Sequence, residues 1–144
     1  MKKEKKLKIF LVDDDPLYLK SLEIDFIQAG NYDFEMFTTG ELCIENLYKK
    51  PDIVVLDYHL DSINKQARNG IETLDVIKRF DPKIPVIILS SQDKIDVAVS
   101  CMHHHAIDYV VKSETAFLRL QKIMHNIFNY QKMEKELNWY MERM

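Results

Sequence analysis

Ile53-Val54-Val55-Leu56-Asp57 is a run of four apolar residues, three of them β-branched, closed by a carboxylate. A strand with one face in water alternates apolar and polar residues, whereas an unbroken run of this length reads as a strand covered on both faces, as in parallel sheets. Working outward, four further apolar runs occur at Leu7–Val12, Tyr32–Phe37, Val86–Leu89 and Ile107–Val111. Among them Tyr32-Asp33-Phe34-Glu35-Met36-Phe37 alternates, which puts it nearer a sheet edge. Segments of helical length separate the runs. Pro16 to Ala29 carries Leu17, Leu19, Leu22, Ile24, Phe26 and Ile27, and Gly30 follows as a C-cap. Thr39 or Gly40 opens a second helix through Leu42, Ile44 and Leu47, with Pro51 just beyond it. Asn69-Gly70 precedes a third with Ile71, Leu74, Ile77 and Phe80, Asp93 to His103 reads as a fourth, and Thr115 opens a long fifth. Strand–helix alternation implies an α/β fold, a parallel sheet with right-handed crossovers and helices on both faces. Binding sites in such folds lie beyond the carboxyl ends of the strands.

Four of the strand ends carry chemistry: Asp13-Asp14, Asp57, Ser90 and Lys112. Taken singly, each has an ordinary reading. An Asp after a strand serves as a turn residue or N-cap, a Ser as a cap, and a Lys as a solvated cation. Taken together in this order, they assemble three carboxylates, a hydroxyl and an ammonium at one edge of the sheet. Clustered carboxylates repel unless a hard divalent cation with oxygen ligands joins them, and Mg²⁺ suits a site that also handles phosphate. A carboxylate is also a competent nucleophile toward phosphorus, giving an acyl phosphate whose oxygens need a cation and fixed donors.

Leu11-Val12-Asp13-Asp14-Asp15-Pro16, Asp52-Ile53-Val54-Val55-Leu56-Asp57, Pro85-Val86-Ile87-Ile88-Leu89-Ser90-Ser91 and Asp108-Tyr109-Val110-Val111-Lys112 resemble the response-regulator receiver family of two-component signal transduction, over roughly residues 7 to 130. The resemblance implies a doubly wound (βα)5 sandwich with a five-stranded parallel sheet in the flavodoxin-like order 2-1-3-4-5. It further implies that Asp57 is the phosphoacceptor and that Asp14 and Asp57 ligate Mg²⁺ directly. Asp13 would then hold the metal through water, and the backbone carbonyl of His59 would complete the set. Ser90 and Lys112 would bind the phosphoryl oxygens, and Tyr109 matches the switch aromatic that turns inward with Ser90. The implied partners are a sensor histidine kinase or phosphotransfer protein on one side and an output domain or partner protein on the other. On this reading the chain is a signalling switch that assists its own phosphotransfer and dephosphorylation, not an enzyme. Two alternatives are a receiver-like interaction module that is not phosphorylated, and a receiver that is one piece of a larger regulator or hybrid kinase.

Three departures from the family pattern stand out. Ser113 follows Lys112 where Pro is usual, and because a non-proline cis bond costs about 2.5–4 kcal/mol we expect a trans bond there. Asp61 stands four residues past Asp57 where Pro is usual. The Gly that opens the third helix comes late, at Gly70, so the loop Asp61–Arg68 is several residues longer than is typical. None of these removes a chemical group from the pocket.

Other features are weaker. Adjacent residues near a helix end point in different directions, so His103-His104-His105 reads as a helix terminus, where His suits the C-terminal dipole, rather than as a metal site. The second Asp that haloacid-dehalogenase-type phosphatases carry two residues past their nucleophile is replaced by His59. Net charge is −3, which gives no footprint for direct nucleic-acid binding, and the basic run Met1–Lys6 reads as a solvated leader. No stretch reaches 18 apolar residues and no apolar signal core opens the chain, so we expect no membrane span. Cys43 and Cys101 lack metal or redox spacing and read as reduced thiols of a cytoplasmic protein.

The domain division expected is a receiver over residues 6–130 and a helical extension of the fifth helix over 131–144. Tyr130, Met133, Leu137, Tyr140 and Met144 are spaced 3, 4, 3 and 4, which is heptad spacing and points to a homodimer through the C-terminal helix or to packing on a downstream domain.

Overall fold

The computed structural model describes residues 6–144; most of the basic run Met1–Lys6 lies outside the described residues. Eleven elements alternate along the chain: β1 (Leu7–Val12), α1 (Pro16–Ala29), β2 (Tyr32–Phe37), α2 (Gly40–Glu45) with a 3₁₀ turn (Leu47–Lys49), β3 (Ile53–Asp57), α3 (Gly70–Phe80), β4 (Val86–Ser90), α4 (Ile95–His103), β5 (Asp108–Val111) and α5 (Ala116–Glu142). The five strands form one sheet in the order β2-β1-β3-β4-β5, and every pairing is parallel. The alternating strand β2 is an edge, while β3 and β4, buried along their whole length, are interior.

Pleating sends successive side chains to opposite faces of the sheet. Phe10, Val12, Val54, Leu56, Val86 and Ile88 pack on one face with Cys43, Leu74, Ile77 and Cys101 from α2, α3 and α4. Ile9, Leu11, Ile53, Val55, Ile87 and Leu89 pack on the other with Leu22 and Phe26 of α1 and Leu120 and Met124 of α5. The central strands thus serve two cores at once, which is why their sequences carry no polar alternation. Each fully buried aliphatic or aromatic side chain contributes about 1.5–3 kcal/mol.

Helix boundaries follow local chemistry. Asp15 caps α1 by accepting from the Leu17 amide, Pro16 takes the first helical position, and Gly30 closes the helix at φ 77°. Asn69 and Glu72 form a reciprocal capping box at the start of α3. Two expected helices are shorter than the sequence suggests. The second ends at Glu45, because the Asn46 side chain donates to the Leu42 carbonyl and its amide to that of Cys43, tightening the chain into the 3₁₀ turn that holds Leu47. The fourth begins at Ile95, not Asp93, because Lys94 is still extended and supplies no side-chain cap. The division expected at residue 130 falls inside α5, which continues to Glu142.

Candidate functional site

The carboxyl ends of β1, β3, β4 and β5 all face the same edge of the sheet, and the ladder continues past three of them. The Asp13 amide donates to Phe37 O (3.0 Å), the Tyr58 amide to Leu89 O (2.8 Å) and the Lys112 amide to Ser90 O (2.7 Å). These bonds fix the backbone on which Asp13, Asp57, Ser90 and Lys112 stand. Asp57 and Ser90 are themselves the last residues of β3 and β4, one position further into the sheet than the apolar runs indicated. Behind Asp57, α3 begins against the strand. A Cβ added to Gly70 would lie 2.6 Å from Asp57 O and 2.7 Å from Tyr58 O, closer than any side chain tolerates, so only glycine lets the helix seat there.

The side chains converge. Asp13, Asp14 and Asp57 each offer a carboxylate oxygen, and the three lie within 4.8 Å of one another. They are 1%, 7% and 3% exposed, which decides the electrostatics: water does little to screen their repulsion. Among the described residues, one cation pairs with them. Lys112 Nζ lies 2.7 Å from Asp13 Oδ2 and 3.3 Å from Asp57 Oδ1. Burial works against the Lys112 charge, but the hydrogen bond to Asp13 and the charges of Asp57 and Asp13 outweigh it and raise its pKa. The pKa of Asp57 is raised as well, but for a carboxyl that shift disfavours the charged form. Burial and then the neighbouring Asp13 charge push its carboxyl up to about 7, against the pull of Lys112 and a hydrogen bond from the His59 backbone.

Three buried carboxylates against one ammonium leave net negative charge in a pocket largely shielded from solvent. An all-oxygen donor set of that charge fits a hard divalent cation, and no Cys or His shares the cluster to favour a softer one. His59 follows β3 half-buried, and its carbonyl is approached by Ser62 Oγ at 3.5 Å. Ser62 also donates its amide to Asp14 Oδ2 at 3.0 Å, so the long loop after β3 is tied to the acidic cluster.

Ser90 and Tyr109 meet through a third residue. Ser90 Oγ accepts from the Gln92 amide at 3.0 Å, and the Tyr109 hydroxyl donates to the Gln92 carbonyl at 2.5 Å. Tyr109 is half-buried and packs against the core on the α4 side. The Lys112–Ser113 bond is trans, no cis peptide bond occurring among the described residues. Of the His run, His103 ends α4, His104 Nδ1 pairs with Asp75 Oδ1 of α3 at 2.7 Å, and His105 adopts φ 73°.

Sequence reasoning missed Tyr18. Its ring centroid lies 4.3 Å from Lys112 Nζ, and burial raises the pKa of its hydroxyl. An aromatic two residues into α1, just after the acidic triplet, was the available signal.

The fold and pocket define a doubly wound α/β protein with an acidic, lysine-bearing site at the carboxyl edge of its sheet. The chain belongs to the response regulator receiver domain family, which it matches over residues 9–127. It is 33% identical over 104 residues to the transcriptional regulatory protein ZraR of Klebsiella oxytoca, a match covering 72% of this chain and 22% of that protein. The chain spans about a fifth of the length of the first curated relatives it matches. A response regulator receiver domain protein (CheY-like) of Methanospirillum hungatei superposes with a TM-score of 0.75 at 20% identity, covering 90% of this chain and 99% of that one. A chain of the CheX-CheY-BeF3-Mg²⁺ complex from Borrelia burgdorferi does so with a TM-score of 0.70 at 27% identity, covering 83% and 87%. Among the described residues no helix is long and apolar enough to cross a membrane.

Proposed function

We propose that Asp57 accepts a phosphoryl group from a sensor histidine kinase or phosphotransfer protein in the cytoplasm, and that the altered pocket changes the face offered to an output domain or partner protein. The observation that carries this reading is the placement of Lys112 between Asp13 and Asp57, at 2.7 and 3.3 Å, inside a buried cluster of three carboxylates. A structural ion pair needs one carboxylate for one lysine. The excess here suits transient binding of a cation and of phosphoryl oxygens.

In the transfer, a carboxylate oxygen of Asp57 forms a bond to phosphorus as the bond from phosphorus to the donor's imidazole nitrogen breaks, and that nitrogen regains a proton. Mg²⁺ held by Asp14, Asp57, the His59 carbonyl and, through water, Asp13 would neutralise charge on the phosphoryl oxygens. The similar CheX–CheY complex, which contains BeF3 and Mg²⁺, supports that expectation. Lys112 supplies a second cation at the same oxygens. The Ser90 hydroxyl accepts from the Gln92 amide, which leaves its own proton to donate to a phosphoryl oxygen. Any displacement of Ser90 toward that oxygen pulls on Gln92 and therefore on the carbonyl that holds Tyr109. That link carries the state of the pocket to the β5–α4 surface. The chain acts in this scheme as a switch that assists its own phosphorylation and dephosphorylation.

Incubation with acetyl phosphate and Mg²⁺, followed by intact mass spectrometry, should show one added phosphoryl group on the native chain and none on Asp57→Asn. Equal labelling of the two proteins, or no labelling of either, would overturn the assignment.

A further inference from the structure

A closed circuit of contacts surrounds Lys112. Its Nζ donates to Asp13 Oδ2 at 2.7 Å, and the other oxygen of the same carboxylate, Oδ1, accepts from the Asp15 amide at 2.9 Å. Asp15 in turn caps α1 through the Leu17 amide at 3.0 Å, with Pro16 fixed at the first helical position. The next residue, Tyr18, returns to the start, its ring centroid 4.3 Å from the Lys112 ammonium. Tyr18 is half-buried against the core beneath α1, so the ring is not free to swing away.

Three sides of the ammonium are therefore occupied: Asp13, Asp57 and the face of an aromatic ring. A desolvated cation on such a face is held by the ring quadrupole, an attraction that is directional and that water replaces poorly. A flexible four-carbon stem has no such constraint of its own. We infer that Tyr18 is a positioning residue for phosphorylation, its ring holding the Lys112 ammonium where it meets the phosphoryl oxygens at Asp57. The hydroxyl has no part in this, since the contact is with the ring. The inference rests on the phosphoacceptor reading of Asp57, but one of its measurements does not.

Three variants of the full chain decide it. Tyr18→Phe keeps the ring, Tyr18→Leu removes it, and Tyr18→Trp offers a stronger face. Acetyl phosphate labelling with Mg²⁺ should run at the native rate in Phe and Trp variants and about tenfold slower in Tyr18→Leu. Mg²⁺ affinity, which depends on the carboxylates, should stay within about twofold of native in all three and so show that the pocket still forms. In the metal-free, unphosphorylated protein, the Lys112 ammonium should give a slowly exchanging nitrogen-detected NMR signal in the native, Phe and Trp proteins, and none in Tyr18→Leu. That signal tests the ring contact even if no form of the chain is ever labelled. Native-rate labelling and an unchanged ammonium signal in Tyr18→Leu would overturn the inference. So would a Tyr18→Phe variant as slow as Tyr18→Leu, because the hydroxyl would then be the active part.

Discussion

At the scale of single residues, Asp57 is where stability and function oppose each other. A carboxyl whose folded pKa is raised to about 7 holds its proton more tightly folded than unfolded. Its contribution favours folding in acid, and that contribution is lost progressively as pH climbs from the unfolded value near 4 through about 7. Above pH 7 the metal-free protein carries an ionised, buried Asp57 whose repulsion from Asp13 is offset only in part by Lys112 and the His59 backbone hydrogen bond. Asp57→Asn should therefore melt higher than the native chain at pH 8 in EDTA, by roughly 5 °C, and the difference should shrink as the pH is lowered toward 5. Thermal melts at the two pH values check the sign, and a variant less stable than native at pH 8 would contradict it. Mg²⁺ should act on the native chain in the same direction, by neutralising the cluster. Asp14 is the carboxylate that Lys112 does not touch within ion-pair distance. Among the described residues no cation pairs with it, so Asp14→Ala should weaken Mg²⁺ binding by tenfold or more in a calorimetric titration. Undiminished affinity would remove Asp14 from the ligand set.

At the scale of elements, the loop from Asp61 to Arg68 is joined to the site by few bonds. Residues Ser62 to Gln66 are exposed; the Ser62 amide reaches Asp14, and the Arg68 amide donates to Glu41 Oε1 at 2.7 Å. The capping box at Asn69 and the seating of Gly70 lie beyond this stretch. Deleting residues 62–67 should therefore change stability by no more than about 1 kcal/mol, while altering the rate of phosphoryl loss severalfold, because the loop is bonded to the acidic cluster through the Ser62 amide and Asp14. Decay of labelled protein and a urea melt measure the two effects separately, and unaltered decay would deny the loop this role. The elements differ in how far the sequence discloses them. The limits of β1, α1 and β2 are legible to the residue, because Asp13, Pro16 and Gly30 are chemical stops. Strands β3 and β4 run one residue past their apolar stretch, since parallel pairing of Asp57 with Leu89 and of Ser90 with Val111 is a backbone matter that side-chain polarity does not reveal. The end of α2 turns on one Asn46 side chain folding back, which no periodicity reports. The order of the strands was legible only through resemblance to a family. Asp13, Asp14, Asp57, Ser90 and Lys112 could be placed together from their strand ends alone, whereas the Tyr18–Lys112 contact joins positions whose separation along the chain hides it.

At the scale of the whole molecule, α5 sets the shape. Its 27 residues extend about 40 Å. Its buried residues, Ala116, Leu120, Met124 and Ile127, stop where the family match stops, at residue 127. Beyond them the helix has no core to lie on, and Tyr130, Met133, Leu137, Trp139, Tyr140 and Met141 are all exposed. Local contacts cover only part of this surface: Arg143 stacks over Trp139 at 3.8 Å, and Trp139 meets Tyr140 edge-on. An isolated helix end of this length is marginal in water, so its apolar stripe is best stabilised by burial against another surface. The 3-4-3-4 spacing of Tyr130, Met133, Leu137, Tyr140 and Met144 matches the seam of a second copy of the same helix. Two heptads make a weak seam, so the association should be concentration-dependent and in the micromolar range or weaker. Deleting residues 131–144 should leave labelling at Asp57 at its native rate and the melting temperature within a few degrees, because none of the deleted side chains is buried in the core. The same deletion should remove self-association in sedimentation velocity runs over a range of concentrations. A native chain that sediments as a monomer throughout, or a truncated chain that associates as strongly as the native one, would rule out this helix as the dimer seam.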